Sequence, residues 1–382
     1  MRVAALDRFL YRVPLVDEFS TAHGRTAVRE GLLLRLATDA GVIGWGEAAP
    51  LPDFGGGTVD DAARLLADLA SDLIGRDLAR LPDLLDGLPE RPGRAAVRCA
   101  LDVAALAALG RAGGRSVAAL LAADPAASVP VNATIGAAAT EHAVAAATRA
   151  VGAGFRVVKL KVGMAASPDE EAERVAAVRA ALGPDAGLRL DANGAWDVDT
   201  AIATLRRLAP YRLDLVEQPV PAADLDGLSR VRRAVDVPLA ADEAVTGLDA
   251  ARAIVARDAV DALIVKPMAV GGLTVGRRIT ELADETGLTV IVTTTVDAGV
   301  GVAAALHLAA TLPIPAPACG LATGGLLASD LLAASLPVAR GRMRLPAGPG
   351  LGVTVDEAAL ARFGAAGERA PSPAGSRTRE ER

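Results

Sequence analysis

The chain has 382 residues, of which 52% are hydrophobic and 23% charged, so it can bury a sizeable core in one large domain or two smaller ones and is not a disordered chain. A net charge of −6, a pI of about 5.3 and only 2% aromatic residues leave neither a basic footprint for nucleic acid or an anionic membrane nor a surface for stacking bases. Two cysteines, Cys99 and Cys319, make no disulfide framework and no thiolate metal site. Charges at Asp7 and Arg8 come too early for a signal peptide, and no uncharged apolar run reaches the roughly 18 residues that a membrane span needs. The mean hydropathy of +0.34 reflects alanine and leucine, and a cytoplasmic protein without membrane or nucleic-acid partners is the expectation.

Residues 2–12 read as a strand, and residues 30–38 and 42–48 as two more, joined by the hairpin signal Asp39-Ala40-Gly41. The polar stretch between the first two strands, about residues 15–29, is long for a hairpin loop and reads as a lid. Residues 59–74 have the spacing of an amphipathic helix. Together these make a small α+β domain over residues 1–93, ending near Pro92-Gly93. A helical run from Arg94 to Leu109 follows. Short apolar strands then alternate with helices: 131–135, 155–161, 187–191, 213–217, 238–242, 261–266, 288–294 and 317–321, with helical patterns at 169–182, 198–209, 249–256, 273–286 and 299–311. Eight β/α units over residues 94–330 fit an α/β fold, a parallel (β/α)8 barrel of the TIM type. The competing open, doubly wound sheet wants a glycine fingerprint after its first strand, and Gly55-Gly56-Gly57 does not open a helix in that position. Residues 331–363, with Pro337, Pro346 and Pro349, read as a return to the small domain, and 364–382 as a disordered tail.

Ionisable residues recur at the carboxyl ends of successive strands: Lys159 and Lys161 in VVKLKVG, Asp191 in LRLDANG, Glu217 in LVEQP, Asp242 in LAADE and Lys266 in LIVKP. From Lys161 onward they are separated by 30, 26, 25 and 24 residues, about one β/α unit each, so all of them project toward the mouth where barrel enzymes keep their chemistry. Taken singly, each is an ordinary solvated charge at a strand end; the ordered set is what points to a site. Three carboxylates converging on one place repel one another unless a cation lies among them, and an all-oxygen set suits magnesium or manganese rather than zinc. Lys159 and Lys161 share one face of their strand. A neighbouring lysine and a metal favour a neutral amine, which acts as a base. Lys266 faces the same centre from the far side. A base on one face, a cation on the other and a metal between them suit an enolate intermediate.

KLKVG, DANGAW, EQP, ADE and the lysine of VKP, in this order, resemble the enolase superfamily in its muconate-lactonising subgroup, over nearly the whole chain. The resemblance implies a capping domain over residues 1–93 with a flexible loop at about 15–29, Asp191, Glu217 and Asp242 as magnesium ligands, Lys161 as base, Lys266 as the opposing lysine, Lys159 as its support and Asn193 near the metal. Lys266-Pro267, Gly271-Gly272, TTTVDAGVG at 293–301 and CGLATGGLL at 319–327 are most similar to o-succinylbenzoate synthases, which dehydrate a small carboxylate in menaquinone synthesis. That resemblance implies a lyase, with Thr295, Asp297 and Gly320 as substrate-supporting residues; Arg25, in the lid stretch, is a candidate partner for a second substrate carboxylate, and association between copies of the chain is left open. Many relatives carry glutamate on the seventh strand, where this chain has Asp297. Dipeptide epimerases of the subgroup carry Asp-x-Asp near the eighth strand, where this chain has Ala318-Cys319-Gly320-Leu321. N-acyl amino acid racemase, dipeptide epimerase and muconate cycloisomerase are the alternatives of the same chemistry, and a non-catalytic carboxylate-binding barrel is the alternative of another class. His23, in the lid stretch, reads as solvated; His142, His307, Glu47, Trp45 and Trp196 read as structural, and Gly324-Gly325 as a turn or a backbone approach to ligand.

Overall fold

The computed structural model describes residues 1–21, 24–52, 56–165 and 167–364, with the backbone alone at 17–21 and 24–25. Strands β1 (Val3–Thr21), β2 (Gly24–Thr38) and β3 (Ile43–Ala48) form an antiparallel sheet in that order. The stretch expected as a loop is the far half of the β1–β2 hairpin: Val13 pairs with Arg29 and Pro14 with Val28, and after a register shift Phe19 pairs with Thr26. Beyond Pro14 the ribbon meets the barrel only locally, with Leu15 bridged to Leu327 and Val16 60% exposed, so its sequence shows no sustained apolar alternation. His23 lies outside the described residues, as do the side chain of Arg25 and the expected tail beyond Gly364.

Helix α1 (Val59–Leu73) begins at a capping box, in which the Asp61 amide donates to the Thr58 hydroxyl and the Thr58 amide donates to the Asp61 carboxylate. After α2 (Leu81–Asp86), the long helix α3 (Arg94–Ala112) crosses the sheet directly over β3. The approach is so close that a Cβ on Gly44 or Gly46 would sit 1.9 Å from the carbonyl of Ala104 or Ala100. The alternation in Gly44-Trp45-Gly46 is therefore set by backbone packing. Trp45 meets Phe9, with ring centroids 5.7 Å apart.

Helix α4 (Val117–Leu121) and β4 (Ser128–Pro130) lead into the barrel. Strands β5 (Ala133–Ile135), β6 (Val157–Lys161), β7 (Gly187–Asp191), β8 (Leu215–Glu217), β9 (Leu239–Ala241), β10 (Ala262–Val265) and β11 (Thr289–Val292) pair in parallel in sequence order. Around them lie α5 (Thr140–Gly152), α6 (Pro168–Leu182), α7 (Val198–Leu208), α8 (Leu225–Ala234), α9 (Leu248–Ala256), the short α10 (Pro267–Val270), α11 (Leu273–Thr286) and α12 (Gly299–Ala309).

The eighth expected strand, 317–321, is reduced to a closing seam. Cys319 bridges Val131 and Gly320 bridges Thr293, through Cys319 N→Pro130 O at 2.8 Å, Asn132 N→Cys319 O at 3.0 Å, Gly320 N→Val292 O at 2.9 Å and Thr294 N→Gly320 O at 3.4 Å. Pro315 and Pro317 have no amide N–H, which keeps the pairing from extending. The chain then returns: β12 (Val338–Ala339) and β13 (Arg342–Arg344) pair with β4, and α13 (Glu357–Phe363) ends where Gly364 bridges Tyr11 of β1.

Inside the barrel, Leu215, Ala240, Ala262, Ile264 and Ile291 form an apolar cluster separate from the main core. Successive residues of a strand alternate faces, so Glu217, Asp242 and Lys266 continue the inward rows begun by Leu215, Ala240 and Ile264. The apolar layer is thus the floor on which the charged groups stand.

Helix α12 is buried over its whole length. His307 within it accepts a hydrogen bond from the Ala118 amide at Nδ1 (3.1 Å), so its other nitrogen, Nε2, carries the proton toward the Leu351 carbonyl at 3.1 Å. Burial pushes its pKa from 6.5 down to about 4, against the Leu351 carbonyl, which favours the charged form. Between these values the unfolded chain binds a proton that the folded chain does not, so stability falls as pH drops through this window, by up to about 3 kcal/mol in total. Urea unfolding of the metal-free protein from pH 7 to pH 4 is expected to show this loss, and His307→Gln, which keeps one acceptor and one donor, to show a shallower one.

Candidate active site

Every charged group expected at the barrel mouth is there, and each is buried. Asp191, Glu217 and Asp242 close β7 and β8 and follow β9; each offers an oxygen, and these oxygens lie within 4.8 Å of one another. Lys159 Nζ donates to Glu217 Oε2 at 2.8 Å and to Asp191 Oδ2 at 3.0 Å. Lys161 Nζ donates to Asp191 Oδ2 at 2.7 Å and to Asn193 Oδ1 at 2.9 Å. From the other flank, Lys266 Nζ lies 2.6 Å from Asp242 Oδ1. Strands β7, β8 and β9 lie between the two lysine-bearing strands, β6 and β10, so the two lysines reach the triad from both of its sides.

The three acids are not electrostatically alike. Burial works against the charge of Asp191, yet Lys161 and Lys159 pull its pKa far below the ordinary carboxylate range. Burial pushes Glu217 up, Lys159 opposes that, and repulsion from Asp191 and Asp242 adds to the rise. Burial likewise disfavours the charge on Lys159, but Glu217 and Asp191 more than offset it and raise its pKa. Under the protein's own charges the carboxylates thus favour the ammonium form of Lys159. The triad fits a divalent cation. Its donors are all oxygen, and Asp242 Oδ2 is buried without a hydrogen-bond donor, a placement that costs free energy unless a positive group faces it.

Three further groups escape sequence reasoning. Gln218, at φ +39°, turns the chain just after the second acid, and its Oε1 accepts from the amides of Asp242 (2.9 Å) and Ala244 (3.3 Å). It ties the third acid to the strand that carries the second, and its one legible trace is its place in EQP. Glu243 accepts from Asn193 Nδ2 at 2.7 Å, which turns Asn193 Oδ1 toward Lys161. Burial, with repulsion from Asp242, pushes Glu243 up to about 7, although Lys266 opposes this. The third is Arg29, hidden in the stretch read as a lid.

The cavity above the lysines is lined by Lys159, Lys161, Asn193 and Lys266, by Thr134, Thr293, Thr294, Thr295 and Thr323, and by Gly320, Val296 and Leu326 of the barrel. Leu15, Thr26, Arg29 and Leu51 of the cap complete it, and no carboxylate side chain lines it among the described residues. Asp297 stands behind the wall: its Oδ1 accepts the Thr295 hydroxyl at 2.5 Å and the Thr295 amide at 3.3 Å, and lies 3.8 Å from Arg29. Glu47, at the end of β3, reaches the barrel. It accepts from the amides of Ala298 and Gly301 at the start of α12, both at 2.8 Å, and from Tyr11 Oη at 2.6 Å. Burial and the nearby Asp297 push Glu47 up to about 7, while Tyr11 and the two amides pull it back. Its role is to join cap to barrel. Gly324 and Gly325 open a single helical turn beside the cavity, and His142 stands on α5.

A barrel whose inward acids and lysines share one mouth, under a cap that supplies part of the cavity wall, is the architecture of one enzyme class. Residues 142–359 match the enolase C-terminal domain-like family and residues 7–122 the N-terminal domain of mandelate racemase and muconate lactonizing enzyme. The chain belongs to the enolase superfamily. It is 43% identical over 204 residues to the o-succinylbenzoate synthase of Thermobifida fusca (strain YX), a match covering 53% of this chain and 62% of that protein. It is 30% identical over 361 residues to muconate cycloisomerase 1 of Rhodococcus opacus, covering 93% of this chain and 96% of the other. The crystal structure of N-succinyl Arg/Lys racemase from Bacillus cereus ATCC 14579 superposes with a TM-score of 0.90 at 25% identity, covering 95% of this chain and 98% of that one.

Gln218 generates a test of the metal site that needs no substrate. Gln218→Leu removes both acceptor contacts that hold the Asp242 turn, and Mn2+ titration followed by electron paramagnetic resonance is expected to show affinity lowered about 10–100-fold.

Proposed function

We propose that the protein is a magnesium-dependent lyase that forms o-succinylbenzoate by removing water from a cyclohexadiene carboxylate. One observation carries the chemistry: Lys161 and Lys266 reach a single buried acidic triad from its two sides. Asp191, Glu217 and Asp242 are the residues that hold the metal. A divalent cation there supplies positive charge to the substrate carboxylate as its α-carbon loses a proton. Lys161 takes that proton. The C–H electron pair forms the new C=C bond as the C–O bond breaks, and Lys161 returns the proton to the departing hydroxyl on the same face. Lys266 stays cationic on the other face, against the developing negative charge.

The choice of reaction rests on two supports. The similarity to the T. fusca synthase is one. The cavity, lined by hydroxyls and cationic side chains and by no carboxylate among the described residues, is the other. Asp297 is engaged by Thr295 and Arg29, and residues 318–321 carry no acid, so nothing in the described wall pairs with the ammonium of a dipeptide. Racemisation of an N-acyl amino acid is the second reading, favoured by the presence of a lysine on each flank. A barrel that only binds carboxylates has no use for a base.

Incubation with magnesium and the cyclohexadiene carboxylate precursor of o-succinylbenzoate is expected to yield the aromatic product; no product from folded, metal-loaded enzyme would overturn the assignment. Lys161→Ala is expected to lower dehydration by about 10³-fold or more, since it removes base and positioning together. Lys266→Arg keeps the charge but is no proton carrier at these pH values, so it is expected to retain measurable dehydration and to lose any racemase activity. The ratio of the two activities in one preparation separates these roles. EDTA is expected to abolish turnover, and Mg2+ or Mn2+ to restore it.

A further inference from the structure

One stretch of the cavity wall is held from outside the barrel. Thr293 to Val296, following β11, all line the cavity, and Val296 has φ +60°, a left-handed conformation that a β-branched side chain resists. Such a conformation persists only where its surroundings impose it. Besides Asp297, which accepts the Thr295 amide and hydroxyl, this turn is met by Arg29 of β2, 3% exposed and reaching across from the cap. Its Nε donates to the Val296 carbonyl at 3.1 Å and its Nη2 to the Thr295 hydroxyl at 3.3 Å, while Asp297 Oδ1 lies at 3.8 Å. Its remaining donors are anchored on cap carbonyls: Glu30 and Pro50 at 3.1 Å each, and Ala49. One planar guanidinium thus ties two stretches of the cap to two consecutive residues of the cavity wall. All five of its N–H donors are used within the protein, so none is left for a substrate.

We propose that Arg29 is a positioning residue: by holding Thr295 and the strained Val296 in place, it makes the cap sheet set the shape of the substrate cavity in the barrel. This rests on the reading that the cavity receives substrate. Lysine at this position keeps the charge but loses the fork, because three donors on one nitrogen cannot reach acceptors spread around a plane. The reacting lysines and the metal ligands lie on other strands, so the loss falls on substrate fit more than on the chemical step.

Arg29→Lys is therefore expected to speed amide hydrogen exchange in residues 293–298, measured by mass spectrometry, with exchange in β6 to β9 and Mn2+ affinity unchanged. With the cyclohexadiene carboxylate as substrate, KM is expected to rise roughly tenfold or more, the loss of a charged hydrogen bond, and kcat to change by less than about threefold. Glycine adopts a positive φ freely, so both penalties are expected to shrink when Arg29→Lys is made in a Val296→Gly background. Unchanged exchange at 293–298, or equal penalties in the two backgrounds, would overturn the proposal. If Arg29→Lys does not accumulate as folded protein, Thr295→Val, which deletes the hydroxyl between Arg29 and Asp297, decides by the same exchange measurement. If the wild type does not turn over the cyclohexadiene carboxylate, the assigned reaction fails, while the exchange comparison still decides the role of Arg29.

Discussion

Three carboxylates and three lysine ammonium groups, all buried, meet at one end of a barrel, and the molecule is arranged around keeping them there. Asp191, Glu217 and Asp242 are 0%, 1% and 3% exposed, and Lys159, Lys161 and Lys266 are each 6% exposed. Buried charges are tolerated only when paired, and breaking such a pair by removing one partner commonly costs about 3–5 kcal/mol. The fold supplies the pairing by strand order: acids from three adjacent strands, with a lysine-bearing strand on each side. It also leaves the pairing incomplete. Lys159 and Lys161 both donate to Asp191, which is pulled down, whereas Glu217, which receives Lys159 alone of the two, is pushed up and Asp242 Oδ2 has no donor. A set of charges that is nearly but not wholly satisfied by the protein has the character of a cation site rather than of a structural ion cluster.

The cap meets the start of α12 and the loop before it through two buried side chains. Glu47 accepts the first amides of α12, which point outward from the helix without a partner of their own, and so joins β3 to the helix that follows β11. Arg29 takes the carbonyl and hydroxyl of the intervening loop. Between them they fix both ends of residues 295–301, the segment in which the neutral cavity wall turns into a buried helix. Helix α3 adds a third tie, since Arg98 donates to the Gly271 carbonyl and Asp102 accepts the Thr274 amide at 2.9 Å near the start of α11. Cap and barrel are thus connected just beyond β10 and β11, next to Lys266 and the threonine wall.

The acid and lysine positions were legible in the sequence because each ends an apolar strand and the strands recur at one β/α unit, so period alone brings Lys161, Asp191, Glu217, Asp242 and Lys266 to one mouth. Seven barrel strands were legible for the same reason. The eighth was overcalled: residues 317–321 are apolar enough to read as a strand, but Pro315 and Pro317 restrict the pairing to a seam. The β1–β2 ribbon was undercalled, since a polar hairpin with few buried side chains among those described has no apolar alternation to detect. Arg29 went unseen in consequence. Gln218 and Glu243 went unseen for another reason: they bind amides and side chains around the site, and a hydrogen bond to a backbone amide leaves no periodic mark.

The central claim is that this set of lysines and acids removes a proton beside a substrate carboxylate. The most direct test is to incubate the magnesium-loaded enzyme with the cyclohexadiene carboxylate and, separately, with an N-succinyl amino acid in deuterated water, and to follow the α-hydrogen by NMR and mass spectrometry. The account predicts magnesium-dependent loss of the α-hydrogen from at least one of them, as aromatic product or as deuterium incorporation, and none with Lys161→Ala. Retention of the α-hydrogen in both compounds by folded, metal-loaded enzyme, or loss that persists undiminished in Lys161→Ala, would contradict it.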